Sequence, residues 1–209
     1  SLSNVGSSEV TPEHWAEIAR AIERLYDEFE GFVVIHGTNT MSYTSAALSF
    51  ALQGLSKPVV LTGAILPIND LAGDGRMNLI FAIRTAQLDL AEVCVALGPR
   101  VYRGTRAKKV DQSLLQSFDS PRFPALVDFS VGVKLHPWRM VRRKRSLVCK
   151  PTFDANGILI TLHPGMHDRF LEAILEAKPH GIVLRVYGQG MMPDHLFEWI
   201  RKVTRAEIP

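Results

Sequence analysis

Thr38, Asn39 and Thr40 form a small polar turn after an apolar run, and Lys108 and Lys109 stand beside Arg106 further along the chain. A threonine hydroxyl can attack an acyl carbon or activate water, but only with a base nearby. A lysine serves as that base only when burial or a neighbouring cation lowers its pKa, and Arg106 or Lys108 could be that cation. By residue type alone, plainer readings stand beside these. A Thr-Asn-Thr turn caps a helix, the stretch from Arg103 to Lys109 makes a solvated charged face, and Ser7-Ser8 opens a loop. His36, with no partner named by the sequence, reads as orienting the turn through a backbone hydrogen bond rather than as a base.

The elements that must position these groups are legible in outline. Phe32 to Ile35 is a short apolar run ending at His36-Gly37. An alanine- and leucine-rich helix from Met41 to Leu55 follows the polar turn, with a small-residue face (Ser45, Ala46, Ala47, Ala51), and a second apolar run begins at Val59. Strand, loop, helix and strand make one βαβ unit. In open parallel sheets ligands sit outside the carboxyl ends of the strands, which is where His36 to Thr40 falls. Upstream, Thr11-Pro12-Glu13 carries the signals of a helix start. The helix it opens has an apolar face through Trp15, Ile18, Ile22 and Tyr26. Downstream, Asp74 is placed as the N-cap of a helix from Met77 to Leu88, and Val93 to Leu97 as a buried strand. Residues 113–130 carry two prolines, Pro121 and Pro124, and are expected as a surface connection. Arg139, Arg142, Arg143, Lys144 and Arg145 form a basic run without an aromatic platform, expected as an exposed hairpin or linker rather than a nucleic-acid surface. From about Pro151 a second β-α-β-α pattern begins. Its last helix is expected to turn Leu196, Phe197, Ile200 and Val203 inward.

Composition bounds the rest. The chain has 209 residues, of which 46% are hydrophobic and 22% charged, with a net charge of +3, ordinary for a globular protein. No apolar run approaches the length that spans a bilayer, and the charge names no partner. Cys94 and Cys149 lack metal-ligand spacing and read as buried or half-buried thiols of a reducing compartment.

His36-Gly-Thr-Asn-Thr-Met41, Val59-Val-Leu-Thr-Gly-Ala64, Asp74-Gly-Arg-Met-Asn-Leu79 and the run from Tyr102 to Val110 resemble, in order and spacing, the motifs of bacterial-type L-asparaginases. The similarity runs from about Gly6 to the C-terminus and is nearest to the type I, cytoplasmic-like branch. It implies an α/β fold, an open, mostly parallel sheet flanked by helices. An N-terminal domain is expected over 1–135, a linker or basic hairpin over 136–152, and the start of a smaller C-terminal domain over 153–209. It also implies hydrolysis of L-asparagine to L-aspartate and ammonia through a threonine acyl-enzyme. Thr38, Asn39 and Lys109 occupy the positions of the family's Thr-Lys-Asp triad. Asn39 stands where an aspartate holds the substrate amine, and Ser7 and Ser8 where the α-carboxylate is held. Asparagine keeps the shape and one acceptor of aspartate without its charge. For a buried ammonium that loss is worth about 2–5 kcal/mol.

The resemblance implies no metal or organic cofactor, a homodimer or homotetramer, a cytoplasmic location, and neither nucleic acid nor membrane as partner. Met191 stands where many relatives carry a polar residue reaching a neighbouring subunit's site. The family's nucleophile lies in a Gly-Gly-Thr-Ile turn, a stretch not found in these residues, so the sequence reads as a fragment without the first strand and part of the C-terminal domain. The alternatives are a catalytically impaired binding protein and the amide-hydrolysing subunit of a tRNA-dependent amidotransferase.

Overall fold

The structure, a computed structural model, describes residues 2–209, which fall into two compact units, one ending at Phe153 and one spanning Asp154–Pro209. The first contains α1 (Pro12–Arg24), β1 (Phe32–Ile35), α2 (Met41–Ala51), β2 (Leu52–Gln53), β3 (Val59–Thr62), α3 (Gly75–Ala86), β4 (Val93–Ala96) and β5 (Arg100–Arg103). It continues through β6 (Lys108–Lys109), β7 (Phe118–Asp119), β8 (Val127–Phe129), β9 (Val133–Leu135) and β10 (Val148–Cys149). The second contains β11 (Gly157–Thr161), α4 (Asp168–Glu176), β12 (Gly181–Arg185) and α5 (His195–Arg205).

The α/β layering expected from the sequence is present. The central sheet runs β1-β3-β4-β5-β8-β9, with β1, β3 and β4 parallel and the remaining strands added antiparallel. Side chains alternate across it, as the two-residue period requires. Phe32, Val34, Val59, Leu61, Val93 and Val95 pack with Ile22, Met41 and Leu48 on the α1–α2 side. Val33, Val60, Cys94 and Ala96 pack with Ala82 and Leu90 on the α3 side. A sheet covered on both faces needs continuous apolar strands, and Val59–Thr62 and Val93–Ala96 are buried at every position. Cys94 is buried and Cys149 half-buried, both as free thiols.

Several local expectations are corrected. The helix after the polar turn stops at Ala51, because Leu52–Gln53 pairs antiparallel with Val148–Cys149. Residues 113–130 are more than a connection: they supply β7 and the sheet strand β8. Asp74 sits at the start of α3 without capping it; its carboxylate accepts the backbone N–H groups of Ile65 and Leu66 and the Asn78 amide, closing the long loop. Arg139 and Arg142 of the basic run are pinned rather than free. Arg139 pairs with Asp89, and Arg142 donates to the Leu88 and Ala86 carbonyls at the end of α3, while Arg143, Lys144 and Arg145 are exposed. In the second unit, Ile160, Leu162, Leu171, Leu196, Trp199 and Val203 form the core. Trp199 faces inward where Phe197 was expected, and Phe197 is 46% exposed. Among the described residues, no helix is long and apolar enough to cross a membrane.

Asn78 ties three segments at the carboxyl end of the sheet. Its amide donates to the Gly63 carbonyl and to Asp74, and its oxygen accepts the Gly98 N–H. Removing it leaves the Gly63 carbonyl and the Gly98 N–H without a partner. Asn78→Ala is therefore expected to lower the unfolding free energy by about 2–4 kcal/mol, measured by urea denaturation.

Candidate active site

β1 and β3 end side by side, with the His36 N–H donating to the Thr62 carbonyl at 2.8 Å. The chain leaves β1 through a turn too close for side chains at two points. A Cβ on Gly63 would collide with the His36 carbonyl, and one on Gly37 would lie 2.6 Å from Ser7 Oγ. The turn is held from outside as well: Thr40 Oγ1 donates to the Ser7 carbonyl at 2.6 Å, fastening the N-terminal segment over it.

The second half of the site comes from the segment after β5. Gly104 lies against α2, where Ser45 Oγ donates to its carbonyl at 2.9 Å, and its own N–H donates to the Val93 carbonyl. The chain then enters the β6–β7 hairpin, where Lys109 pairs with Phe118, itself buried in the core. The hairpin aims Lys109 back at the turn. Its Nζ lies 2.9 Å from Thr38 Oγ1 and 3.3 Å from Asn39 Oδ1, and Asn39 Nδ2 lies 3.4 Å from Ser8 Oγ. Thr38 is 9% exposed and Lys109 half-buried. Thr38, Asn39, Lys109 and Ser8 thus form one connected cluster, with Ser7 against Gly37 beside it. The hydroxyl and the lysine amino group are close enough to pass a proton between them, and Asn39 and Ser8 can hold a polar substrate group. Met191 lies in the second unit, 66% exposed.

Among the described residues the His36 ring makes no hydrogen bond to this cluster; it props the turn from behind. Its Nδ1 lies 2.7 Å from the Gly37 carbonyl, which only accepts, so Nδ1 bears the hydrogen. Nε2 then accepts from the Thr44 hydroxyl at 2.9 Å, and Thr44 Oγ1 accepts from Trp15 Nε1 at 2.9 Å. This one-way chain fixes a neutral imidazole. Sequence reasoning had given Trp15 only a packing role and had not singled out Thr44. The available hint was Thr44's place one helical turn beyond Thr40, on the face that meets α1.

Residues 1–140 match the family described as "Asparaginase, N-terminal", and residues 158–209 match "Glutaminase/Asparaginase C-terminal domain". The L-asparaginase of Dirofilaria immitis is 36% identical over 204 residues, covering 96% of this chain and 34% of the relative. L-asparaginase 1 of Escherichia coli K12 is 35% identical over 191 residues, covering 90% of this chain and 56% of the relative. The crystal structure of L-asparaginase I from Vibrio cholerae superposes with a TM-score of 0.91 at 31% identity, over 98% of this chain and 63% of that one. The chain therefore spans between about a third and just under two thirds of the proteins it matches.

Burial lowers the pKa of His36 below its ordinary value of 6.5, and the Gly37 carbonyl only partly offsets this. On acidification the unfolded chain takes up the proton first. The contribution of neutral His36 to stability is complete above about pH 6.5 and is lost as the pH falls through the depressed folded value. The urea midpoint is expected to drop between about pH 7 and about pH 5, with His36→Gln abolishing that part of the drop.

Proposed function

Because the chain belongs to the asparaginase family, we propose that the protein carrying it is an amidohydrolase that converts L-asparagine to L-aspartate and ammonia. The observation that carries this reading is the 2.9 Å contact between Lys109 Nζ and Thr38 Oγ1, which joins a hydroxyl to its proton-handling partner. In the reaction a nucleophilic threonine forms an ester with the side-chain acyl carbon as the C–N bond breaks and ammonia leaves with the transferred proton. Water then cleaves the ester and frees the carboxylate, its proton passing through the Thr38 hydroxyl to Lys109 in the fraction of the protein whose Lys109 is the free amine. Ser7 and Ser8 take the α-carboxylate, and Asn39 lies at the α-position.

The nucleophile belongs, in this reading, on a strand added to the outer edge of β1. Among the described residues that edge is unpaired in the central sheet, and Ile35 is 75% exposed on it. Sheets ordinarily cover such an edge. Hollows run along both faces of β1, one of about 640 Å³ lined by Val5, Val10, Ile18 and Val34, the other of about 690 Å³ lined by Val33, Ile83 and Ala86. A strand laid there would end beside Thr38. A homo-oligomer is proposed too, supported by Tyr43 and Phe50, which stand 64% and 69% exposed on the outer face of α2. A cytoplasmic location is supported by the two free thiols.

The test is ammonia release from L-asparagine by the full-length natural protein. Lys109→Met is expected to lower kcat by about 100-fold or more while the urea midpoint stays within error. Unchanged turnover would remove Lys109 from the chemistry and overturn the reading.

A further inference from the structure

Lys109 decides which way round the Asn39 amide sits. An ammonium only donates, so the carbonyl oxygen of Asn39 must face Nζ, 3.3 Å away. The amide nitrogen is thereby turned toward Ser8, 3.4 Å from its Oγ. Accepting that hydrogen bond leaves the Ser8 hydroxyl free to donate its own hydrogen. The substrate-facing groups of the cluster are then an amide N–H, a hydroxyl O–H and an ammonium, all donors. Its amide acceptor, Asn39 Oδ1, already carries the hydrogen bond of Lys109, whose charge opposes a second cation there. Among the described residues no carboxylate forms an ion pair with Lys109. The acids nearest in sequence are placed otherwise: Glu9 is exposed, and Asp111 accepts the backbone N–H groups of Ser113 and Leu114.

A ligand ammonium brought to Asn39 meets a donor and a like charge, with no counter-charge to offset its desolvation. A ligand that carries only C–H at that position escapes both costs, and a carboxylate or carbonyl gains the donors. We infer that this site accepts side-chain carboxamides of acids without an α-ammonium, with succinamate as the simplest, at least as readily as it accepts L-asparagine. The inference rests on the amidohydrolase reading, both for its chemistry and for placing Asn39 at the α-position. Asn39 is the specificity-determining residue, and it acts through the amide orientation that Lys109 imposes.

The two reaction products, succinate and L-aspartate, differ only at the α-position and cannot be turned over, so they report selectivity apart from chemistry. Their affinities for the full-length natural protein are compared by calorimetry, and ammonia release from succinamate and L-asparagine is recorded separately. Succinate is expected to bind at least as tightly as L-aspartate. Asn39→Asp, nearly isosteric and so leaving the fold intact, is expected to shift the affinity ratio at least tenfold toward L-aspartate. Tighter binding of L-aspartate by the unsubstituted protein, a ratio unmoved by Asn39→Asp, or binding of neither product would each overturn the inference. Binding as expected with no ammonia from either amide would leave the selectivity standing and defeat the amidohydrolase reading alone.

Discussion

The contact between the Lys109 ammonium and the Thr38 hydroxyl joins residues 71 positions apart, and much of the first unit serves to hold it. Neither group can find the other by local structure. Thr38 sits on a turn whose path is set by the parallel pairing of β1 with β3, and Lys109 on a two-residue strand fixed by β7. What bridges them is α2. Its N-terminus begins at the turn, and its Ser45 reaches Gly104 shortly before the hairpin. The small residues of α2 matter here, because only a close approach lets a serine hydroxyl reach that carbonyl. A bulkier α2 face would push the hairpin outward and take Lys109 with it.

Behind the contact lies a second requirement, that the turn itself be rigid. The chain from Trp15 through Thr44 and His36 to the Gly37 carbonyl links α1, α2 and β1 in one direction of hydrogen bonding. Asn78 and Asp74 do the same for the neighbouring loop after β3. These networks are satisfied within the structure, which is the condition under which buried polar groups rigidify rather than destabilise. Histidine serves the turn because a neutral imidazole both donates and accepts, whereas a charged one could only donate.

Much of this was legible in the residues, for identifiable reasons. The apolar run from Phe32 to Ile35, the Thr-Asn-Thr turn and the alanine-rich helix marked the βαβ unit, because period and punctuation there agree. Lys109 was not legible by pattern: among Arg106, Lys108 and Lys109 only a likeness to a known motif singled it out. The strands β2, β7 and β10 span two residues each, too few for any period to show. β8 escaped notice because it follows a proline-bearing stretch, although Val127 and Phe129 are buried in the sheet. Phe197 and Trp199 stand two residues apart on α5, so choosing between them depended on which face the second unit covers. The Trp15–Thr44 bond crosses 29 residues between two helices, and no single-sequence signal reports such a pairing.

The central claim is that Thr38 and Lys109 act as one unit, and a double-mutant cycle on ammonia release tests it most directly. Thr38→Val, Lys109→Met and the double variant of the full-length natural protein are compared with the parent by kcat/KM. Groups that pass one proton between them lose their function together, so the double variant should be no more than about threefold slower than the worse single variant. Losses that multiply, leaving the double variant slower by the product of the two single effects, would show that the two residues act independently and would contradict the account.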